Sequence, residues 1–79
     1  MFQAERIHAL LVEKLPECRA LVTGDDGEHF EAHVASPAFV GKTRVQQHQL
    51  VYAALGDHMK RDIHALQLKT YTPDAWPPR

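Results

Sequence analysis

Apolar positions recur along the chain with two different periods, and the switches between them mark out the elements. Over residues 2–15, Ala4, Ile7, Leu11 and Leu15 share one face at helical spacing, flanked by Leu10 and Val12, with Gln3, Glu5, Arg6 and Glu13 pointing outward. Pro16 ends this first helix, because its ring collides with the preceding turn and it brings no amide hydrogen. Residues 18–23 then read as a short apolar strand. Gly24, Asp25, Asp26 and Gly27 form a turn whose Asp-Gly pair suits positive φ. In residues 28–36, Phe30, Ala32 and Val34 alternate with Glu31 and His33, so one face of a second strand is buried and the other wet. The two strands make an antiparallel hairpin.

Ser36-Pro37 breaks the second strand, and a tight loop around Phe39 opens into a second helix over residues 43–55. Gly41 supplies a loop position free of Cβ hindrance, and Thr43 can cap the first turn. The spacing of Val45, Tyr52 and Leu55 predicts the buried face of this helix. Gly56 and Asp57 interrupt it, residues 57–61 form a short third helix, and residues 63–73 return as a strand. The connection from the second strand to the third is long enough for a parallel crossover. Helix, strand, strand, helix, helix, strand is the order of an α+β domain, with three helices on one face of a three-stranded mixed sheet. The open face or edge of such a sheet is available to a partner, so a purely structural adaptor is one reading.

Seventy-nine residues allow one domain with a small core, since a chain of this length removes about 60% of its unfolded surface from water. Nine Lys and Arg against ten Asp and Glu give a net charge of −1, which withholds the long-range positive field that non-specific nucleic-acid binding uses. Six histidines make that charge sensitive to mild acid. Cys18 stands alone, so neither an intrachain disulfide nor an all-protein thiolate site can form, and a reducing, cytoplasmic setting is expected. No apolar run approaches the length of a membrane span or a signal sequence. Residues 74–79, with Trp76 and the paired prolines, read as a flexible tail unless Trp76 docks.

Candidate chemistry is sparse. No nucleophile with an adjacent base, no opposed carboxylates and no phosphate-cradling glycine motif can be picked out, so the chain reads as non-catalytic, with no small-molecule substrate. Cys18 reads as a small buried or half-buried hydrophobe, and Asp25, Asp26 and Glu28 as a solvated hairpin tip lacking hard-cation ligand spacing. His33 is expected at the surface and His8 at the edge of the first helix. His48 should pack beside the core face of the second helix and make a structural hydrogen bond. Lys42, Arg44, Lys60, Arg61 and Lys69 are the basic residues worth gathering. If residues 43–61 approached DNA, Lys42 and Arg44 would meet phosphates while Gln46, Gln47 and Gln49 reached base edges. The turn Gly56-Asp57-His58-Met59 lacks the second glycine of the GXXG loop by which KH domains clamp single strands.

Two stretches carry a specific resemblance. FVGKTRVQQHQLVYAAL, followed by IHALQLKTYTP, resembles the BolA family, and the form VQQHQLVY is most similar to its IbaG-type members. The resemblance covers residues 1–73 and implies a KH-like (class II) αββααβ domain. It further implies partnership with a monothiol glutaredoxin around a shared 2Fe–2S cluster, in iron–sulfur trafficking or iron homeostasis, and in some members a DNA-binding regulatory role. His64 matches the family's C-terminal histidine ligand, and His29 matches the second ligand position, filled in the family by His or Cys. The isolated chain would carry no cofactor, since a bridging cluster needs about four ligands and the missing thiolates must come from the glutaredoxin and glutathione. Strand parity sets His64 with Leu66 and Leu68, which predicts a partly sheltered ring, and His29 with the wet residues Glu31 and His33.

Overall fold

The computed structural model describes residues 2–24 and 26–78. Its elements are α1 (Ala4–Lys14), β1 (Arg19–Thr23), β2 (His29–Ala35), α2 (Arg44–Leu55), α3 (His58–Arg61) and β3 (Ala65–Tyr71), with 3₁₀ turns at Pro37–Phe39 and Pro73–Ala75. β2 is the central strand. It pairs antiparallel with β1, Arg19 facing Ala35 and Thr23 facing Glu31, and parallel with β3, His29 facing Ala65 and Ala35 facing Tyr71. This is the α+β, KH-like order expected, with the helices on one side of a three-stranded mixed sheet. No helix among the described residues is long and apolar enough to cross a membrane.

α1 buries Ile7, Leu10 and Leu11, and Leu15 just beyond it, while Val12 at its flank is exposed. Leu15 has already turned extended, at φ −104° and ψ 136°, as steric clash with the ring of Pro16 requires of a preceding residue. The alternation in β2 holds, with Phe30, Ala32 and Val34 inward and His29 and Glu31 outward. Phe39 sits fully buried where helices and sheet meet. Its turn is secured by Ser36, which is itself buried, donates from its hydroxyl to the Pro16 carbonyl at 2.7 Å and accepts from the Ala38 amide.

α2 starts where expected. Thr43 and Gln46 form a reciprocal capping box, each side chain accepting from the other's backbone N–H at 3.0 and 3.2 Å. Gly41 adopts φ +78° in the loop before it. The buried face, however, differs from the expected one. Val51 and Leu55 are buried, whereas Val45 is 66% and Tyr52 40% exposed. At 3.6 residues per turn, Val45 and Tyr52 lie roughly 100–120° round the helix from Val51. Apolar residues occur on almost every side of α2, so spacing alone selects more than one stripe, and packing against α1 and β3 decides between them.

The chain after β3 folds back. Thr72 donates to Asp74, and Trp76 stands edge-on to Tyr71 with ring centroids 5.8 Å apart. Trp76, Pro73, Glu17 and Arg19 line a cavity of about 310 Å³ together with Ala35, which is buried although it lies on the outward parity of β2.

The corrected helix face is testable by paired substitutions. Leu55→Ala should cost about 2–5 kcal/mol, since it leaves a cavity in the core, whereas Val45→Ala should stay within about 0.5 kcal/mol. Urea unfolding of both variants decides it; equal losses would restore the Val45 face.

Candidate metal centre at the sheet edge

Parallel pairing of β2 and β3 brings their two starts together. His29 opens β2 directly opposite Ala65, so His64, one residue before β3, arrives beside it. The two imidazoles meet edge to face, with ring centroids 5.5 Å apart and planes at 83°. Both are exposed, and His29 keeps 60% of its side-chain surface. For His64 this corrects the sheltered ring expected from strand parity. It precedes the first ladder residue, so the alternation that tucks Leu66 and Leu68 against the core does not yet bind it.

The hairpin tip holds His29 in place. The Asp26 carboxylate accepts the backbone N–H groups of Glu28 and His29 at 2.9 and 2.8 Å on one oxygen. On the other it meets His29 Nδ1 at 2.8 Å. The acidic turn is thus a local clasp; Asp25, its other expected aspartate, lies outside the described residues. These contacts hold the Asp26 carboxyl far below the usual carboxylate range, the His29 backbone N–H contributing most and its ring next. The same carboxylate raises the His29 imidazole above its ordinary value by hydrogen bond and charge.

Beside His64, the residues Phe2, Asp26, Glu28, Lys60, Arg61 and Asp62 border an open cavity of about 510 Å³. Among the described residues, no three His, Cys, Asp or Glu side chains converge as a complete metal site. The pair His29 and His64 thus presents two imidazoles at this edge, with no third such side chain converging on them among the described residues. Cys18 is partly buried against the core, and burial pushes its thiol up.

The remaining polar residues are placed differently from one another. His33 bridges Tyr71 Oη at 2.8 Å and Glu31 at 2.9 Å on the outer sheet face. His8 is exposed on α1. His48 does not make the structural hydrogen bond expected of it through Nε2, which is buried without a partner among the described residues. The Thr70 hydroxyl, which lines one cavity with His48, donates to Gln47. Of the basic group, Lys60 and Arg61 lie at the histidine edge, whereas Arg44 and Lys69 border a separate cavity with His48 and Tyr71. Gln47 clamps the loop by donating to the Phe39 and Lys42 carbonyls, each at 3.1 Å. That engagement of Gln46 and Gln47 has no signal in the helical pattern; a Thr followed three residues on by Gln has the spacing of a capping box, which would have found Gln46.

Three helices on one face of a three-stranded mixed sheet, with β2 and β3 parallel, make this a small KH-like α+β domain. The BolA-like protein family model matches residues 12–75, and the chain belongs to the BolA family. A solved BolA homologue from Coxiella burnetii superposes with a TM-score of 0.86 at 49% identity, covering 96% of this chain and 97% of that one. The acid stress protein IbaG of Escherichia coli (strain K12) is 35% identical over 71 residues, 89% of this chain and 83% of that protein. Two relatives match in part. The DNA-binding transcriptional regulator BolA of Haemophilus influenzae is 38% identical over 48 residues, 61% of this chain and 47% of its own length. SufE-like protein 1 of Arabidopsis thaliana is 47% identical over 51 residues, 63% of this chain and 14% of that protein.

The clasp makes stability depend on pH in a defined window. Because Asp26 is depressed, its contribution is present above about pH 4 and fades as pH falls toward the folded value; because His29 is raised, its share is present below about pH 6.5 and fades as pH rises through the folded value. The Tm difference between the protein and Asp26→Asn should peak at about pH 5–6 and shrink at about pH 3 and pH 9. A flat difference across that range would refute the ionic clasp.

Proposed function

We propose that this protein co-ligates a bridging 2Fe–2S cluster with a monothiol glutaredoxin, acting as a partner protein in iron–sulfur cluster trafficking or iron homeostasis. The observation that carries the reading is the pair of exposed imidazoles at the β2 and β3 starts, 5.5 Å apart. Two imidazoles on one tetrahedral metal, with metal–nitrogen bonds of about 2.1 Å, have centroids roughly 5 Å apart. The residues present therefore fit one side of a cluster. Neutral nitrogen donors on one iron raise the potential of such a centre relative to an all-thiolate one. Within this chain, the hairpin clasp orients His29, the register orients His64, and the remaining ligands come from the glutaredoxin cysteine and glutathione. The compartment follows from that chemistry as a reducing one, in keeping with a single cysteine.

A second reading, duplex binding as a transcriptional regulator, draws on the name of the Haemophilus influenzae relative and on Arg44 and Lys69 beside one cavity. It is the weaker one. Gln46 and Gln47 are engaged within the chain, and Lys60 and Arg61 border a different cavity from Arg44. A net charge of −1 adds nothing to phosphate attraction.

Mixing the protein with a monothiol glutaredoxin, iron, sulfide and glutathione should give a complex whose visible spectrum, and whose paramagnetic resonance spectrum after reduction, differ from those of the glutaredoxin cluster alone. His64→Ala should abolish that difference; an unchanged mixed spectrum would refute the ligand assignment. For the DNA reading, a salt titration with duplex should give a negative slope, and no binding at low salt removes it.

A further inference from the structure

We propose that Asp26 is a positioning residue for this site: its carboxylate fixes the His29 ring in the tautomer whose free lone pair is on Nε2, the atom offered to iron. The inference rests on the shared-cluster reading and adds to it a residue, a tautomer and a ligating atom.

Donors and acceptors decide which ring nitrogen carries the hydrogen. Asp26 Oδ1 is occupied by the backbone N–H groups of Glu28 and His29, at 2.9 and 2.8 Å. The carboxylate is thereby held by the backbone of its own turn, and Oδ2 is left facing His29 Nδ1 at 2.8 Å. An ionised carboxylate can only accept, so the hydrogen of that bond belongs to Nδ1. A neutral imidazole carries one N–H, and Nε2 is left with the lone pair. A ring without such a partner divides itself between both tautomers and rotates about its side chain; this one is set before any metal arrives. Metal-bound histidines characteristically donate their other N–H to a carboxylate or carbonyl, which fixes ring orientation and strengthens the ligand. In this chain that outer contact is already built, three residues upstream of the ligand and inside the same turn.

Asp26→Asn separates positioning from structure. The amide oxygen of the variant keeps both backbone bonds, and its NH₂ replaces Oδ2, presenting a donor to Nδ1. The ring must then accept at Nδ1 and carry its hydrogen on Nε2, the wrong nitrogen for ligation. Long-range proton–nitrogen NMR of the protein alone, at about pH 9 where imidazoles are neutral, should show His29 Nδ1 as N–H type and Nε2 as lone-pair type. In Asp26→Asn the two should exchange. In the complex with monothiol glutaredoxin and glutathione, the same variant should lose its cluster to a chelator on the order of 10–100-fold faster.

A wild-type ring already protonated on Nε2, or an Asn variant with an unaltered ring, overturns the tautomer assignment. Exchanged nitrogens with unaltered cluster loss overturn the positioning role. Failure of the parent reading has another signature: His29→Ala and His64→Ala would both leave the mixed spectrum as it was, while the nitrogen shifts of the free protein still reported the Asp26 contact.

Discussion

Parallel pairing of β2 with β3 is the constraint on which the rest of the molecule depends. A hairpin return would have set the start of one strand against the end of the other and left His29 and His64 at opposite ends of the sheet. The parallel register instead places His29 opposite Ala65, and the histidine preceding Ala65 follows. Such a return needs a crossover, and α2 with α3 supplies it, so the helices that cover the core are also the reason that the two imidazoles meet. The meeting of the two imidazoles at this edge is a consequence of topology before it is a consequence of side chains.

The crossover is held by polar contacts at its beginning and apolar ones at its end. Ser36 ties the end of β2 to Pro16, Gln47 draws the Phe39 loop onto α2 and reaches Thr70 in β3, and the Thr43–Gln46 box closes the helix start. Val51, Leu55 and Ile63 then finish the core. Ser36, Thr43, Gln46 and Gln47 each bond backbone groups of these turns, and Thr70 completes the set by donating to the Gln47 side chain. The glutamines of the QQHQ run are thus part of the scaffold in two of three cases, and the surface they present to a partner is correspondingly smaller than their number suggests.

Much of the architecture was legible in the chain. Pro16, the Gly24–Gly27 turn and the period-two run from Phe30 to Val34 each have a single physical reading, and the elements lie where those readings put them. α2 was less legible, because Val45, Val51, Tyr52 and Leu55 allow two stripes and only contact with α1 and β3 chooses between them. The pairing of His29 with His64 could not be read from spacing, since it depends on strand register across 34 intervening positions; the family resemblance supplied it, and the register accounts for it. The Asp26 contact was hidden for the opposite reason. It is entirely local, and an acidic residue in a Gly-rich turn reads as solubility until its two oxygens are seen to have different partners.

The tail introduces an asymmetry of a practical kind. The chain's one tryptophan rests on Tyr71 at the far end of β3, beside Ala35, while the histidines occupy the near end. Seven residues of strand separate the two, roughly 20 Å. Indole fluorescence is consequently an optical monitor of the sheet terminus opposite the histidine edge. A change in its emission when a partner docks at the histidines would signal a rearrangement propagated along the full strand, and a silent indole would mark docking onto a rigid domain.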